Sequence, residues 1–179
     1  SILLLLAYRL ILQQCSRRSP MFTIQAYNET LRCAWASRIQ TNGESLLGVQ
    51  TIRNASFGAT FFANTAILLM MGTLTLSTQT DKIQAFSHSL PETIAHASLI
   101  STKIILLLSL FFIAFICFAQ SIRFFSHISF MLGLPAKTCP LRDITTHLNH
   151  GWAYHSLGMR AYYYAIPFAF GLFSDLLMV

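Results

Sequence analysis

The nineteen residues from Ile104 to Ile122 carry no charge and are flanked by Lys103 and Arg123. A helix of this length extends about 28 Å at 1.5 Å per residue, close to the roughly 30 Å hydrocarbon core of a bilayer. A helix buried in a soluble protein seldom runs this far without a solvated face. The stretch therefore predicts a membrane span.

The composition of the whole chain supports the same prediction. Of its 179 residues, 54% are hydrophobic and 10% are charged, whereas soluble domains average about 25% charged residues. Lysine and arginine number 12 against 6 acidic residues. In a membrane protein this excess suits cytoplasmic loops and anionic lipid headgroups, so we do not expect nucleic-acid binding.

Four apolar segments predict an all-α fold, an integral membrane four-helix bundle that forms a single transmembrane domain. The predicted spans cover about residues 1–15, 55–77, 104–122 and 161–179. We expect the third helix to continue past Arg123 to the vicinity of Gly133. Because the chain begins without methionine and ends inside an apolar run, we also expect both ends to be truncated.

The connection between the first two spans contains a predicted amphipathic helix. Within residues 28–39, apolar side chains recur at helical spacing opposite Arg32 and Glu29. These apolar positions are Leu31, Ala34, Trp35 and Ile39. We expect the helix to lie in the interface, at the level of the lipid headgroups, with Trp35 as its anchor.

Basic residues are unevenly distributed over the connections. They number five in residues 16–54, two in 78–103 and four in 123–160. The positive-inside rule therefore predicts that the first and third connections are cytoplasmic and that both termini lie outside. Residues 137–160 are expected to be a loop leading into the fourth span. We expect the inner membrane of a bacterium.

Small residues form stripes on two of the predicted spans. Such stripes let helices approach closely in lipid, so we expect both to pack against neighbouring helices. On the second span the small residues are Ala55, Ala59, Ala63 and Ala66. On the third span they are Ala114, Cys117 and Ser121.

A polar lane of Ser56, Thr60 and Asn64 runs beside the alanine stripe of the second span. Such a lane either lines a water-filled path or bonds to neighbouring helices or to the preceding turn. Asn64 is the most demanding member, because its amide needs a hydrogen-bond partner inside the hydrocarbon.

Other candidate chemistry is sparse. His147, His150 and His155 fall within nine residues, but no carboxylate or cysteine completes a metal shell at suitable spacing. No nucleophile with a base and no pair of carboxylates occurs at useful spacing. We therefore predict no catalytic residue, no metal site and no cofactor.

Three motifs, with their order and spacing, resemble a known family. They are VQTIRN at 49–54, SIR at 121–123 and GMRAYY at 158–163, followed by Pro167. Over about residues 28–173 the chain is similar to the bacterial and plant membrane proteins grouped as domain of unknown function 599. The resemblance implies four spans and no assigned activity. The chain carries Ser174-Asp175 where the family tends to have Gly-Pro, so the family's kink there is not carried over.

The motif arginines Arg53, Arg123 and Arg160 each fall at the cytoplasmic end of a predicted span. One interpretation is that each anchors its helix to lipid phosphates through paired hydrogen bonds. The sharper hypothesis is that they converge on one anionic group, either a lipid headgroup or a ligand. The residues expected to join them there are Asn54, His127 and Tyr163.

These features favour a non-catalytic structural or accessory subunit of a larger membrane assembly. Its small-residue stripes would pack against other membrane chains or a second copy, and its cytoplasmic side would bind anionic phospholipids. The absence of a charge pair at mid-membrane disfavours a transporter. The alternative is a small channel or transporter that uses the polar lane together with Ser109 and Ser121 of the third span. An enzyme is the weakest of the three hypotheses.

Overall fold

The computed structural model describes residues 24–78, 97–135 and 137–170. Over those residues the chain forms four α-helices and no strand, which confirms the all-α prediction. The helices are α1 Ile24–Asn42, α2 Ser45–Ser77, α3 Ala97–Met131 and α4 Leu141–Phe170. The predicted first span, residues 1–15, lies outside the described residues. One of these four helices, α1, is thus the predicted amphipathic helix and not a predicted span.

Helices α2 and α3 pack side by side in opposite directions. Near the middle of each helix, Phe62 stacks on Phe118 with ring centroids 5.4 Å apart. At one end, the side chain of Leu132 fills the space beside Gly48. Since the residue number rises along α2 as it falls along α3, the pair is antiparallel. The end of α3 at Met131 confirms the expected continuation past Arg123.

Two glycines of α4 set its distance from α3. A Cβ atom on Gly158 would lie 2.8 Å from Cζ of Phe118, and one on Gly151 would lie 2.9 Å from Cε1 of Phe125. Both phenylalanine rings are fully buried. Because glycine has no side chain, both rings fit against the α4 backbone. Burial of the two rings offsets the cost of about 1 kcal/mol for each glycine inside a helix.

Residues 141–160, expected to be loop, form the first two thirds of α4. The segment is polar in composition, but its buried residues are three, four or seven positions apart and therefore lie on one face of the helix. They continue into the predicted fourth span and are Ile144, Leu148, Gly151, Gly158, Ala161 and Ala165. Packing of this narrow face against α3 explains why a segment rich in histidine and threonine is helical.

Helix α1 packs along the bundle through Ala36 and Ile39, both buried. Its packed face is rotated from the predicted one: Leu31 and Ala34 are exposed, whereas Arg32, predicted on the opposite side, is half-buried. The rotation follows from the polar contacts that α1 makes with α4, which are described below. Trp35, the expected headgroup anchor, is half-buried against the core.

The bundle has two chemically different ends. We call residues 24–54 and 123–150 the polar end, and residues 55–77, 101–122 and 151–170 the apolar end. The charged residues described in the apolar end are Lys103 and Arg160. Helices α2 and α3 are each long and apolar enough to cross a membrane.

Candidate functional site

A groove of about 520 Å³ lies between α2 and α3 at the polar end and continues into the first turns of the apolar end. Its polar groups are one guanidinium, one amide and four hydroxyls, and two exposed phenylalanines stand at its walls. The lining residues are Arg53, Asn54, Ser56, Thr60, Ser126 and Ser129, with Val49, Phe57 and Phe130. No acidic side chain is among the described residues that line it.

The helix periodicity and the register explain why these groups meet. Arg53, Phe57 and Thr60 are three or four residues apart and so share one face of α2. Because Gly48 lies beside Leu132 in the antiparallel pair, that face of α2 stands next to residues 126–130 of α3. The sequence therefore places a hydroxyl-rich turn of α3 opposite the arginine of the first motif.

The hydroxyl groups with assigned bonds are satisfied within their own helices. Thr60 Oγ1 donates to the carbonyl oxygen of Ser56 at 2.9 Å, and Ser129 Oγ donates to the carbonyl oxygen of Phe125 at 3.1 Å. These hydroxyl oxygens can still accept hydrogen bonds, but their protons are already donated to the backbone. The Arg53 guanidinium, the Asn54 amide and the hydroxyls of Ser56 and Ser126 remain as donors for a bound group. A guanidinium fork with no nearby acid suits a phosphate or carboxylate.

The other residues predicted to converge with Arg53 lie elsewhere on the surface. Arg123, His127, Arg160 and Tyr163 are all exposed, and none lines the groove. The register separates Arg160 in particular, because Phe118 contacts both Phe62 and Gly158, which places Arg160 near the level of Asn64. That level is eleven residues, or about 16 Å, along the helix from Arg53. Arg160 therefore does not share an end of the bundle with Arg53, as its expected position at the start of a span required.

The polar lane does not form a path through the bundle. Ser56 and Thr60 lie in the groove, whereas Asn64 lies on the outer surface of α2. Ser109 is also exposed, and its hydroxyl donates to the carbonyl oxygen of Leu106 at 2.7 Å. Ser121 is fully buried between α3 and α4 and donates to the carbonyl oxygen of Gly151 at 2.9 Å.

The predicted small-residue stripes lie inside the bundle and contact helices of the same chain, not the other membrane chains that the sequence led us to expect. Ala55 is half-buried against the core, and the other members of both stripes are buried. These buried members are Ala59, Ala63, Ala66, Ala114, Cys117 and Ser121. Between the stripes and α4, the hydroxyl of Tyr162 donates to the carbonyl oxygen of Phe62. Motif residues Ser121, Gly158 and Tyr162 therefore contact neighbouring helices.

A second cavity, of about 370 Å³, lies between α1, α2 and α4 and is mainly apolar. Arg32 stands at its edge, where its Nε donates to Asn149 Oδ1 at 2.8 Å, and Asn149 Nδ2 donates to Glu29 Oε1 at 2.9 Å. Partial burial lowers the pKa of Arg32, and the charge of Glu29 acts in the opposite direction. A guanidinium remains charged at neutral pH despite such a shift.

The histidines of α4 pack against phenylalanine rings of α3. Phe124 contacts His147 edge-on and His150 face-on, and Phe118 contacts His155 edge-on. In the part of the chain that the structure describes, no three histidine, cysteine, aspartate or glutamate side chains are grouped closely enough to hold a metal ion.

Sequence reasoning missed the α3 side of the groove, namely Ser126, Ser129 and Phe130. The signal was present in part, because α3 was expected to extend past Arg123. An antiparallel pairing of that extension with the start of α2 would have placed residues 126–130 beside Arg53. What the sequence does not reveal is which spans are neighbours.

Comparison with known proteins identifies one family. The family described as "Protein of unknown function, DUF599" matches residues 1–179. No curated protein and no solved structure matches the chain. The family match covers the whole chain, including the segments outside the described residues, and carries no activity with it.

Proposed function

Because this chain belongs to the DUF599 family, for which no function is described, we propose its role from its geometry. We propose a non-catalytic accessory subunit that spans a membrane, binds an anionic phospholipid in the Arg53 groove and packs against other membrane chains. The single observation that supports the lipid site is that Arg53 and two exposed phenylalanines line the same groove, and that none of the described lining residues is acidic.

The exposure of apolar side chains supports a location in the bilayer. Phe61, Leu68 and Ile105 are 63%, 69% and 67% exposed. Only 22% of the most apolar stretch of α2 is buried inside the bundle, whereas the core helix of a soluble protein is mostly buried. Contiguous exposed apolar surface of this kind is typical of lipid-facing helices and rare on soluble monomers.

Helix length and charge support an orientation. Helix α2 has 33 residues, or about 50 Å, which exceeds a hydrocarbon core of roughly 30 Å. The polar end would therefore extend beyond the bilayer. Six basic and three acidic residues are described there, and such an excess favours the cytoplasm. They are Arg32, Arg38, Arg53, Arg123, Lys137 and Arg142 against Glu29, Glu44 and Asp143.

In this placement the groove stands where headgroups meet acyl chains. Arg53 and Asn54 would donate hydrogen bonds to a lipid phosphate, and the Phe57 and Phe130 rings would contact the first methylenes of its chains. Both rings are 77% exposed, which leaves them open to lipid. The groove hydroxyls would accept hydrogen bonds from a headgroup alcohol or amine.

A pair of identical substitutions on α2 tests the membrane placement. Leu46 at the polar end is 81% exposed and Leu68 at the apolar end is 69% exposed. We expect Leu68→Arg to reduce membrane insertion strongly, since arginine at mid-bilayer costs about 2.5–3.5 kcal/mol, and Leu46→Arg to insert normally. The measurement is the fraction recovered in carbonate-washed membranes. Equal tolerance of both substitutions would contradict a bilayer at the apolar end.

Three matched arginine substitutions test the lipid site. We expect Arg53→Gln to lower the anionic lipid retained by the purified protein several-fold, as read by native mass spectrometry, because the phosphate loses its paired donors. Arg123→Gln and Arg160→Gln are the controls, since both residues lie outside the groove. If all three variants retain the same lipid, the groove is not the binding site.

A further inference from the structure

The outward face of α2 in the apolar end is a continuous ridge that no described helix covers. Its residues are three or four apart and therefore fall on one side of the helix. All are exposed, and they are Phe61, Asn64, Leu68, Gly72 and Thr75. We call this set the Asn64 face.

Asn64 makes this face unsuited to lipid alone. Its amide forms no hydrogen bond with any other residue that the structure describes, whereas the neighbouring threonines bond to their own helix, as Thr65 does to the carbonyl oxygen of Phe61 at 2.9 Å. Residues 54–80 carry no charge, so Asn64 falls inside the longest uncharged run of the second-span region. The exposed Arg160 lies at a similar level, but its long side chain can extend toward the headgroups, whereas the short side chain of Asn64 cannot. An unpaired amide exposed to hydrocarbon costs several kcal/mol, so a polar partner is needed.

We propose that the partner is a second copy of this chain, docked through the Asn64 face of each copy; the proposal rests on the membrane placement put forward above. An asparagine amide carries both a donor and an acceptor, so two Asn64 side chains related by a two-fold axis satisfy each other reciprocally. A different membrane chain would need its own polar group at this depth, whereas a second copy supplies the matching group by symmetry.

Gly72 is a second feature of the face that suits close contact. A Cβ atom there would meet nothing within 4 Å, so its own fold does not require glycine at this position. Glycine on an outward face lets two helix backbones approach in lipid. Two turns from Asn64, it would allow the two α2 helices to stay close beyond the amide pair.

Cysteine cross-linking locates the contact. In a full-length, cysteine-free background, Leu68→Cys in proteoliposomes should form a disulfide-linked dimer on oxidation with copper phenanthroline. Ile113→Cys, on the exposed side of α3, is the control and should remain monomeric. Cross-linking through Ile113→Cys with none through Leu68→Cys would overturn the proposed face.

Dimer affinity tests the amide itself. We expect Asn64→Leu to weaken dimerisation about tenfold, measured by single-molecule photobleaching across a series of protein-to-lipid ratios, and Asn64→Gln to retain it. Thr65→Val, which removes a hydroxyl bonded within α2, should leave the dimer unchanged. A protein that inserts normally yet stays monomeric, or whose dimer ignores Asn64→Leu, overturns the dimer alone. A protein that fails to insert at all overturns the membrane placement instead.

Discussion

The two ends of the bundle are held together in different ways. At the polar end, side-chain hydrogen bonds join α1 to its neighbours: Arg32 and Glu29 bond Asn149, and Gln40 Nε2 donates to the carbonyl oxygen of Cys139 at 2.9 Å. Large aliphatic and aromatic side chains fill the core beneath them. At the apolar end, alanine, glycine and stacked rings make many of the contacts. Ile104 and Leu107 are buried there, but many other large aliphatic side chains are exposed.

This contrast would suit the two solvents of the proposed membrane placement. Where water surrounds the helices, burial of Phe125 and Ile128 stabilises the fold through the hydrophobic effect. Where lipid surrounds them, aliphatic side chains gain nothing by turning inward, so association depends on close packing and on hydrogen bonds such as that from Tyr162 to the Phe62 carbonyl.

The largest effect is expected from filling the space at Gly158. Gly158→Ala should destabilise the protein by about 1–3 kcal/mol, because its Cβ would press on the buried Phe118 ring. Gly58→Ala is the control, since nothing lies within 4 Å of a Cβ there. Thermal unfolding in detergent measures both. Adding Phe118→Leu to Gly158→Ala should recover part of the lost stability. If Gly158→Ala leaves thermal unfolding unchanged, the apolar end is loosely packed.

Gly158 also shows what the sequence could and could not reveal. The long apolar runs of α2 and α3 could be recognised as helices from the sequence, because the length of a helix that crosses a bilayer is set by consecutive residues. The fit of Phe118 against Gly158 joins residues forty positions apart and leaves no local pattern. The same limit applies to the groove: Arg53 and Asn54 were singled out from their motif, but Ser126 and Ser129 became partners only through the pairing of α2 with α3.

The two mistaken local predictions have a related cause. The face of α1 was assigned from hydrophobicity, which placed Arg32 toward solvent, but Asn149 on α4 offers that guanidinium a partner and turns it inward. Residues 141–160 were expected to be loop because polar side chains dominate their average. Helix formation there depends on a narrow buried face, and the opposite side is free to be polar.

A smaller and more local effect is expected at the polar end. Asn149→Leu should weaken the docking of α1 by about 1–2 kcal/mol, since Arg32 and Glu29 both lose a partner. Hydrogen exchange should increase in α1 and stay unchanged around Phe62 and Phe118. Asn42→Ala, which removes an exposed bond to Glu44, serves as the control. Faster exchange spreading into the apolar end would mean that the two ends unfold as one unit.

Removal of a single hydroxyl at the apolar end should matter less. Tyr162→Phe keeps the ring in contact with its aromatic neighbours and deletes only the donor to the Phe62 carbonyl. Hydrogen bonds between membrane helices average about 0.6 kcal/mol, so we expect a loss of that order in detergent unfolding. Tyr163→Phe, on an exposed side chain, should change nothing. A loss equal to that of Gly158→Ala would mean that hydrogen bonding, and not close packing, dominates the apolar end.

The smallest effect is expected from Cys139, a buried thiol at the polar end. Burial raises its pKa, and the nearby charge of Asp143 raises it further. An unfolded thiol loses its proton from about pH 8.5, before the folded one, so the contribution of Cys139 to stability is present below that pH and declines above it.

At pH 7.5 iodoacetamide should modify the exposed Cys33 quickly and Cys139 slowly. Asp143→Asn should speed the Cys139 reaction, because removing the carboxylate lowers the pKa of the thiol. If that substitution has no effect while unfolding exposes the thiol fully, burial alone protects Cys139, and charge has little influence inside the polar end.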